Sequence, residues 1–322
     1  MKTLMKILKW TGIVFLLLVV ILSVTVASRQ NLKFDAPYPE IKASTDSAVI
    51  ERGKNLVYGP MHCAYCHTTI DKMEQVEKGE ILPLSGGHDF ALPIAHLFSA
   101  NITSDKETGI GKLTDGEIAR TLRYGVGSDG RAIFDFMPFQ HTSEEDLTAV
   151  ISYLRSTAPV SNPVPENTFT TLGKVIKAFL IKPVSPSKPI PASVPVAPTV
   201  EYGSYLANSL ANCRGCHTNR DLQTGAYIGK DFSGGLHIES DVVPGTFVTT
   251  PNLTPDPETG KIYGWDLDKF MKRFRQGRLI PASIMPWGPF SRMSDVQLEA
   301  IYRYLQTLEP VKNDVGPIVS NE

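Results

Sequence analysis

Cysteine is almost missing from this chain. There are four in 322 residues, and they fall in two short matching segments, so none is left for a disulfide or a catalytic thiolate. An excess of charge of either sign is missing too. The 32 basic and 33 acidic residues leave a net charge of −1. Nucleic-acid binding needs a basic footprint, for which this balance gives no support. No stretch alternates apolar and polar residues convincingly enough to predict a strand, and the fold class expected is therefore all-α. Long apolar runs are absent with one exception, at the N-terminus.

That run extends from Trp10 to Ser28, 19 uncharged residues preceded by Lys2, Lys6 and Lys9. A membrane-spanning helix needs about 20 apolar residues, and flanking lysines stay on the cytoplasmic side. A cleaved secretory signal is the other reading, with small residues at Ala27 and Ser28. The run is long for a signal core of roughly 7–15 residues, which favours a signal anchor or transmembrane helix over residues 1–30. Both readings place the rest of the chain outside the cytoplasm.

The remainder is an internal repeat, a pattern to be sought before any other. The offsets from His67 to His217 and from Gly53 to Gly203 are both 150 residues. Those from Asn101 to Asn252 and from Tyr153 to Tyr304 are 151, and that from Met137 to Met285 is 148. Residues 101–109 and 252–260 share the pattern Asn-x-Thr-x-Asp-x-Glu-Thr-Gly. The second copy is shorter ahead of its methionine: Gly125 to Met137 spans 12 positions and Gly277 to Met285 only 8. Between the copies, nine prolines from Pro159 to Pro198 suit an extended linker. Within it, residues 172–181 are apolar with two lysines and too short to span a bilayer. They either lie on a membrane surface or a partner, or pack on one of the copies.

Each copy reads as three helices joined by loops. The first covers roughly Ser47–Tyr58, with a counterpart at roughly Thr199–Ser209. The second opens at Thr114, where Glu117 completes a capping box, has Ile118 and Leu122 as its inner stripe, and ends at Gly125. Its twin is capped by Asp266, buries Phe270 and Phe274, and ends at Gly277. The third begins at Ser143 or Ser294, the latter paired with Gln297. The first and third helices should cross, Gly53 meeting Tyr153 and Gly203 meeting Tyr304.

The cysteine segments read Cys63-Ala-Tyr-Cys66-His67 and Cys213-Arg-Gly-Cys216-His217. On one helical turn, residues at i, i+3 and i+4 share a side. Two sulfurs can then form thioethers with porphyrin vinyl groups while the adjacent imidazole reaches the iron. This is the signature of c-type haem attachment, and two copies predict two covalently attached haem c groups. A redox-active Cys-x-x-Cys or a Cys₄ zinc site would leave both histidines unexplained.

A sixth iron ligand must come from elsewhere, and Met137 and Met285 are the candidates. Both precede proline, in Met137-Pro138 and Met285-Pro286, about 70 residues after their haem motifs. A lone methionine is more often core filler, but two in register point to ligation. Met/His ligation raises the reduction potential and, by filling both axial positions, favours electron transfer. His141 is the rival for the first haem. His88, His96 and His237 lack a counterpart in the other copy, and Met61 and Met293 read as packing residues. Tyr65, Phe139, Trp287 and Phe290 either line haem pockets or fill the core. The Asn-x-Thr loops match the glycosylation pattern, but their duplication in a haem-bearing unit favours loop stabilisation.

The order of helices, haem motif and late Met-Pro resembles the class I cytochrome c domain over residues 46–159 and 199–312, with 160–198 as the linker. With the Asn-x-Thr loop included, the pattern resembles the cytochrome subunits of membrane-bound periplasmic alcohol, aldehyde and gluconate dehydrogenases. The residues carrying the likeness are Cys63, Cys66, His67 and Met137, then Cys213, Cys216, His217 and Met285. Many of those subunits have three haem motifs and a C-terminal anchor, whereas this chain has two motifs and an N-terminal apolar run. The resemblance implies an electron-transfer protein rather than an enzyme. It would sit at the bacterial inner membrane with its haems on the periplasmic side. Its partners would be redox proteins: a dehydrogenase catalytic subunit, an oxidase or another cytochrome. A haem enzyme such as a di-haem peroxidase is the alternative, and it needs one open axial position.

Overall fold

The computed structural model describes residues 2–221 and 225–321. Its first element is helix α1, Lys2–Arg29, which has no buried residue. A helix that is apolar all round and unburied has the character of a membrane span. Its most apolar window has a mean hydropathy of 2.6, and its 28 residues give a length of about 42 Å. A signal sequence has the same character.

The body is mostly helical. In the first copy α2 is Ser47–Tyr58, α3 Cys63–Cys66, α4 Met73–Glu77, α5 Asp115–Tyr124 and α6 Glu144–Ser156; α7, Thr171–Phe179, lies in the proline-rich stretch. In the second copy α8 is Val200–Tyr205, α9 Cys213–Cys216, α10 Leu267–Arg275, α11 Trp287–Ser291 and α12 Asp295–Gln306. α8 runs on into a wider π-helical turn over Leu206–Leu210.

Local chemistry explains the ends. Asp46 accepts from the Ala48 amide at 2.7 Å and starts α2. Thr114 with Glu117, and Ser294 with Gln297, form reciprocal capping boxes at α5 and α12. Asp266 caps α10 by accepting from the Lys269 amide at 2.8 Å.

α2 packs on α6, and α8 on α12. Both crossings depend on glycine. A Cβ on Gly53 would lie 1.9 Å from the Ala149 carbonyl oxygen, and one on Gly203 would lie 1.9 Å from that of Ala300. No side chain fits there, so the helices approach backbone to backbone. Buried residues of both copies, among them Leu56, Val150, Leu206 and Leu298, belong to one continuous apolar core.

One sequence expectation needs correction, and two gain detail. The fold is not purely helical: two small antiparallel sheets are present. One orders β1 (Asp89–Leu92), β2 (Ala95–Phe98) and β3 (Thr168–Phe169); the other orders β4 (His237–Glu239), β5 (Thr246–Thr249) and β6 (Val319–Asn321). Strands of two to four residues are too short for alternation to show, and the third strand of each sheet arrives from far along the chain. The inner side of α5 carries more than its apolar stripe. Ile118 is buried and Leu122, partly buried, packs against the core, while Arg120 and Arg123 are 5% and 2% exposed. Arg123 donates to the Thr142 and Gln140 carbonyls and to Glu144, which offsets its burial. Arg120 donates to Tyr38 and to the Phe34 carbonyl.

The proline-rich stretch, finally, is bonded to the body of the protein. Pro191 and Ala192 carbonyls accept from Glu144 and Glu145, the unpaired first amides of α6, at 3.1 and 3.0 Å. β3 and α7 form within the same stretch.

Candidate functional site

Each Cys-x-x-Cys-His segment is a single helical turn launched from a left-handed residue, His62 (φ 41°) or Asn212 (φ 49°). The His67 amide donates to the Cys63 carbonyl, and the His217 amide to that of Cys213, both at 2.8 Å. This closes the turn that carries the two cysteines and the histidine of each segment. Burial pushes the Cys63, Cys66 and Cys213 thiols up to about 12. A redox-active pair needs the opposite shift, toward a stabilised thiolate.

The imidazoles are oriented from behind. His67 Nδ1 donates to the Ala100 carbonyl at 2.8 Å, and His217 Nδ1 to the Pro251 carbonyl at 3.0 Å. A carbonyl can only accept, so Nδ1 carries the proton and the Nε2 lone pair is left for a metal. Burial lowers both histidine pKa values, which keeps the rings neutral and able to ligate.

These carbonyls belong to the residues just before Asn101 and Asn252, and this explains the Asn-x-Thr loops. Asn101 accepts from the Thr103 amide and hydroxyl and donates to Thr108 and to the Val160 carbonyl. Asn252 makes the same four bonds with Thr254, Thr259 and Val311. Both asparagines are at most 2% exposed. Their role is loop structure, not glycan acceptance.

Sequence reasoning missed a second paired signal, the doublets Gly86-Gly87 and Gly234-Gly235, offset by 148 residues. The Gly86 amide donates to the His67 carbonyl, and the Gly234 amide to that of His217. Their φ values are 72° and 75°. A Cβ on either would strike the carbonyl carbon of Ala100 or Pro251, at 2.4 and 2.5 Å. Only glycine lets this strand of backbone pass behind the histidine.

Met137 and Met285 lie on the loops after α5 and α10 and pack, partly buried, against the core. Their carbonyls accept from Phe139 and Trp287, two residues on, at 2.9 and 2.8 Å. The Met137 carbonyl also receives the Gln140 side chain, and that of Met285 receives Arg278. The rival His141 is otherwise engaged, its Nε2 accepting from the Ser187 amide at 3.0 Å. Met61 and Met293 are each 1% exposed, which fits packing roles, and Tyr65, Phe139, Trp287 and Phe290 are buried. Among the described residues, no three His, Cys, Asp or Glu side chains gather as a metal cluster, so the two cysteine pairs do not form one Cys₄ site.

Buried polar atoms without partners test whether haem fits. There are four among the described residues: Thr68 Oγ1, His88 Nδ1, Arg278 Nη1 and Arg120 Nε. Three of them border the candidate ligands. Thr68 follows His67, His88 interacts electrostatically with His67, and Arg278 binds the Met285 carbonyl. Unsatisfied buried donors are costly, and a porphyrin with two carboxylates would supply acceptors. The chemistry of the residues present in each half, two thiols and a neutral imidazole, also suits haem c.

The copies touch at this place. Arg278 donates to Glu77 at 2.7 Å and to the Tyr65 hydroxyl at 3.5 Å, as well as to the Met285 carbonyl at 3.4 Å. Glu77 also accepts from the Gly288 amide at 3.1 Å. Tyr65 lies between the first two cysteines, so one guanidinium links the first attachment segment to the second methionine loop.

No protein-family model matches the chain. A search of known proteins finds the cytochrome c subunit of a quinone-dependent alcohol dehydrogenase from Gluconacetobacter polyoxogenes, 28% identical over 84% of this chain and 58% of its own length. The cytochrome subunit of a fructose dehydrogenase from Gluconobacter japonicus is 26% identical over 88% of this chain and 57% of its own. A dihaem c-type cytochrome from Cereibacter sphaeroides is 26% identical over 60% of this chain and 63% of its own. The chain thus spans under two thirds of the length of these relatives. Over most of its own length it is similar to cytochrome c subunits of dehydrogenases, the likeness that the two Cys-x-x-Cys-His motifs carried.

Proposed function

We propose that this protein is a di-haem c-type cytochrome that passes electrons in a periplasmic respiratory chain. In this reading it has two tandem class I domains, 46–159 and 199–312, bridged by the proline-rich stretch 160–198. Cys63 and Cys66 hold one haem c and Cys213 and Cys216 the other. His67 with Met137, and His217 with Met285, are the axial ligands. The observation that carries the reading is the duplicated support of the proximal histidine. In both copies a neutral imidazole is fixed through Nδ1 by a carbonyl of the Asn-x-Thr loop, with a Met-Pro loop in register.

Bound haem supplies the redox chemistry, one electron for each iron as it cycles between ferric and ferrous. The chain's own groups do the rest. The cysteines tether, and the Ala100 and Pro251 carbonyls orient the imidazoles and raise their basicity. Met137 and Met285 would hold the irons as second protein ligands and raise the potentials, while the apolar core would exclude water. The donor is a dehydrogenase catalytic subunit or a quinol-oxidising partner, and the acceptor an oxidase or another cytochrome. α1 is read as an uncleaved anchor in the bacterial inner membrane, with the haems on the periplasmic side. The peroxidase alternative is not favoured: it needs an open axial site, and the named dehydrogenase relatives are cytochrome subunits.

The test is optical and EPR spectroscopy of the oxidised holoprotein and of Met137→Ala and Met285→Ala. Two low-spin haems are expected, each with a methionine–sulfur charge-transfer band that only its own substitution removes. A high-spin or bis-histidine haem in the unmodified protein would break one methionine assignment.

A further inference from the structure

We infer that α7 is an interfacial helix that lies on the surface of an anionic phospholipid bilayer beside the exit of α1. This rests on the anchor reading of α1 given above.

The sides of α7 are reversed relative to an ordinary surface helix. Its small residues are the buried ones: Gly173, where a Cβ would lie 2.1 Å from the Ile94 carbonyl oxygen, and Ala178, 3% exposed. Val175 and Ile176 are half-buried, and the bulky residues at its two ends point away. Leu172 is 61% exposed and Phe179 38%, and Leu180, just beyond, is 63% exposed. Leu172, Val175, Ile176 and Phe179 follow i, i+3, i+4, i+7 spacing and share one face. Arg29 covers part of that face at Phe179, and Leu172 and Leu180 are left open.

Two further observations name the occupant. The first is position. α7 packs against α1, and it does so at the very end of that helix. Arg29, the last residue of α1, donates to the Ala178 carbonyl at 3.3 Å and stacks over the Phe179 ring at 5.4 Å. A bilayer spanned by α1 therefore ends at the level of α7. The second is charge. From residue 167 to 200 there is no aspartate or glutamate, while Lys174, Lys177, Lys182 and Lys188 fall in that interval. An apolar face set opposite a lysine-bearing one is the pattern of a helix lying in the headgroup region. A water-exposed protein partner would not need to sit where α1 leaves the lipid.

The consequence is orientation. Thr168 and Phe169, just ahead of α7, pair with β2, the hairpin strand that leads to Ala100 behind His67. A helix seated on lipid would thus hold the first haem unit at one fixed pose above the membrane.

The experiment uses the full-length holoprotein in nanodiscs of phosphatidylethanolamine and phosphatidylglycerol. Nitroxides are attached to Leu172→Cys, Leu180→Cys, Lys106→Cys on an exposed loop, and Leu16→Cys within α1. The native cysteines are held in thioethers and do not label, and an unchanged haem spectrum shows that each variant is folded. Power-saturation EPR compares relaxation by oxygen, which concentrates in lipid, with relaxation by a water-soluble nickel chelate. The oxygen-to-nickel ratio at 172 and 180 is expected to exceed that at 106 by roughly five-fold. A ratio at 172 and 180 equal to that at 106 overturns the proposal, whatever position 16 reports. So does exclusion of both relaxants, which would mean a protein cover. A water-like ratio at 16 alone removes the anchor reading and leaves the surface helix standing.

Discussion

At the residue scale, the support of His67 and that of His217 each depend on one buried asparagine. Asn101 makes four hydrogen bonds within its loop and to Val160, and that loop delivers the Ala100 carbonyl to His67. Asn101→Ala leaves the Val160 carbonyl and the Thr103 amide short of partners. Denaturant unfolding of the holoprotein should show a loss of about 2–3 kcal/mol, and Asn252→Ala a similar one. Asp105 and Asp256 serve the same loops. The Thr108 amide and then its hydroxyl hold the Asp105 carboxyl below its ordinary value, and the Thr259 hydroxyl and then its amide do so for Asp256. A depressed carboxyl contributes stability above its unfolded pKa and loses it as pH falls through the lower folded value. Stability should therefore decline below the ordinary aspartate value of 3.8. Asp105→Asn with Asp256→Asn should flatten that acid limb in an unfolding series across pH, and an unchanged limb would show that other groups control it.

At the element scale, helices were legible and strands were not. Caps are local: Asp46, Thr114, Asp266 and Ser294 each bond an amide two or three residues away, so the start of α2, α5, α10 and α12 could be read along the chain. β3 and β6 consist of two and three residues whose partners lie over 70 positions away, and no window along the sequence contains both strands. The glycine crossings were legible because Gly53 and Gly203 repeat in register with Tyr153 and Tyr304. They also set the sharpest element-level expectation. Gly53→Ala places a methyl against backbone, not against a side chain that could turn aside. It should separate α2 from α6 and cost about 3 kcal/mol, read as a lowered midpoint in thermal unfolding. Gly245→Ala, where a Cβ would meet nothing within 4 Å though its φ is 72°, should cost about 1 kcal/mol from strain alone.

At the scale of the whole molecule, the contact between the copies was invisible in the repeat. Arg278 and Glu77 are 13% and 15% exposed and form an ion pair across it. Gly288 sits so close to α4 that a Cβ would fall 2.4 Å from the Val76 carbonyl oxygen. Arg278→Met should strand the Glu77 carboxylate, at a cost of up to about 3 kcal/mol. It should also take one of two donors from the Met285 carbonyl, so a redox titration of the proposed holoprotein should move the second haem's potential more than the first. Equal shifts in both, or none, would mean that the guanidinium does not position the methionine loop.

The sequence by itself determined whatever is encoded in contiguous residues or in strict repetition. That includes the helical turns bearing two sulfurs and an imidazole, the paired Met-Pro sites, the helix caps and the apolar N-terminal run. Covalent spacing and one turn of helix suffice for these, and duplication separates signal from chance. Only the tertiary structure decided which carbonyl holds each histidine, that His141 is bound by Ser187 rather than free for ligation, that Arg120 and Arg123 are buried, and that the copies meet through Arg278. Each of these brings together groups between 17 and more than 200 positions apart. Their pairing is set by how glycines let backbones approach and by which buried donors must find an acceptor, and neither constraint is written in neighbouring residues.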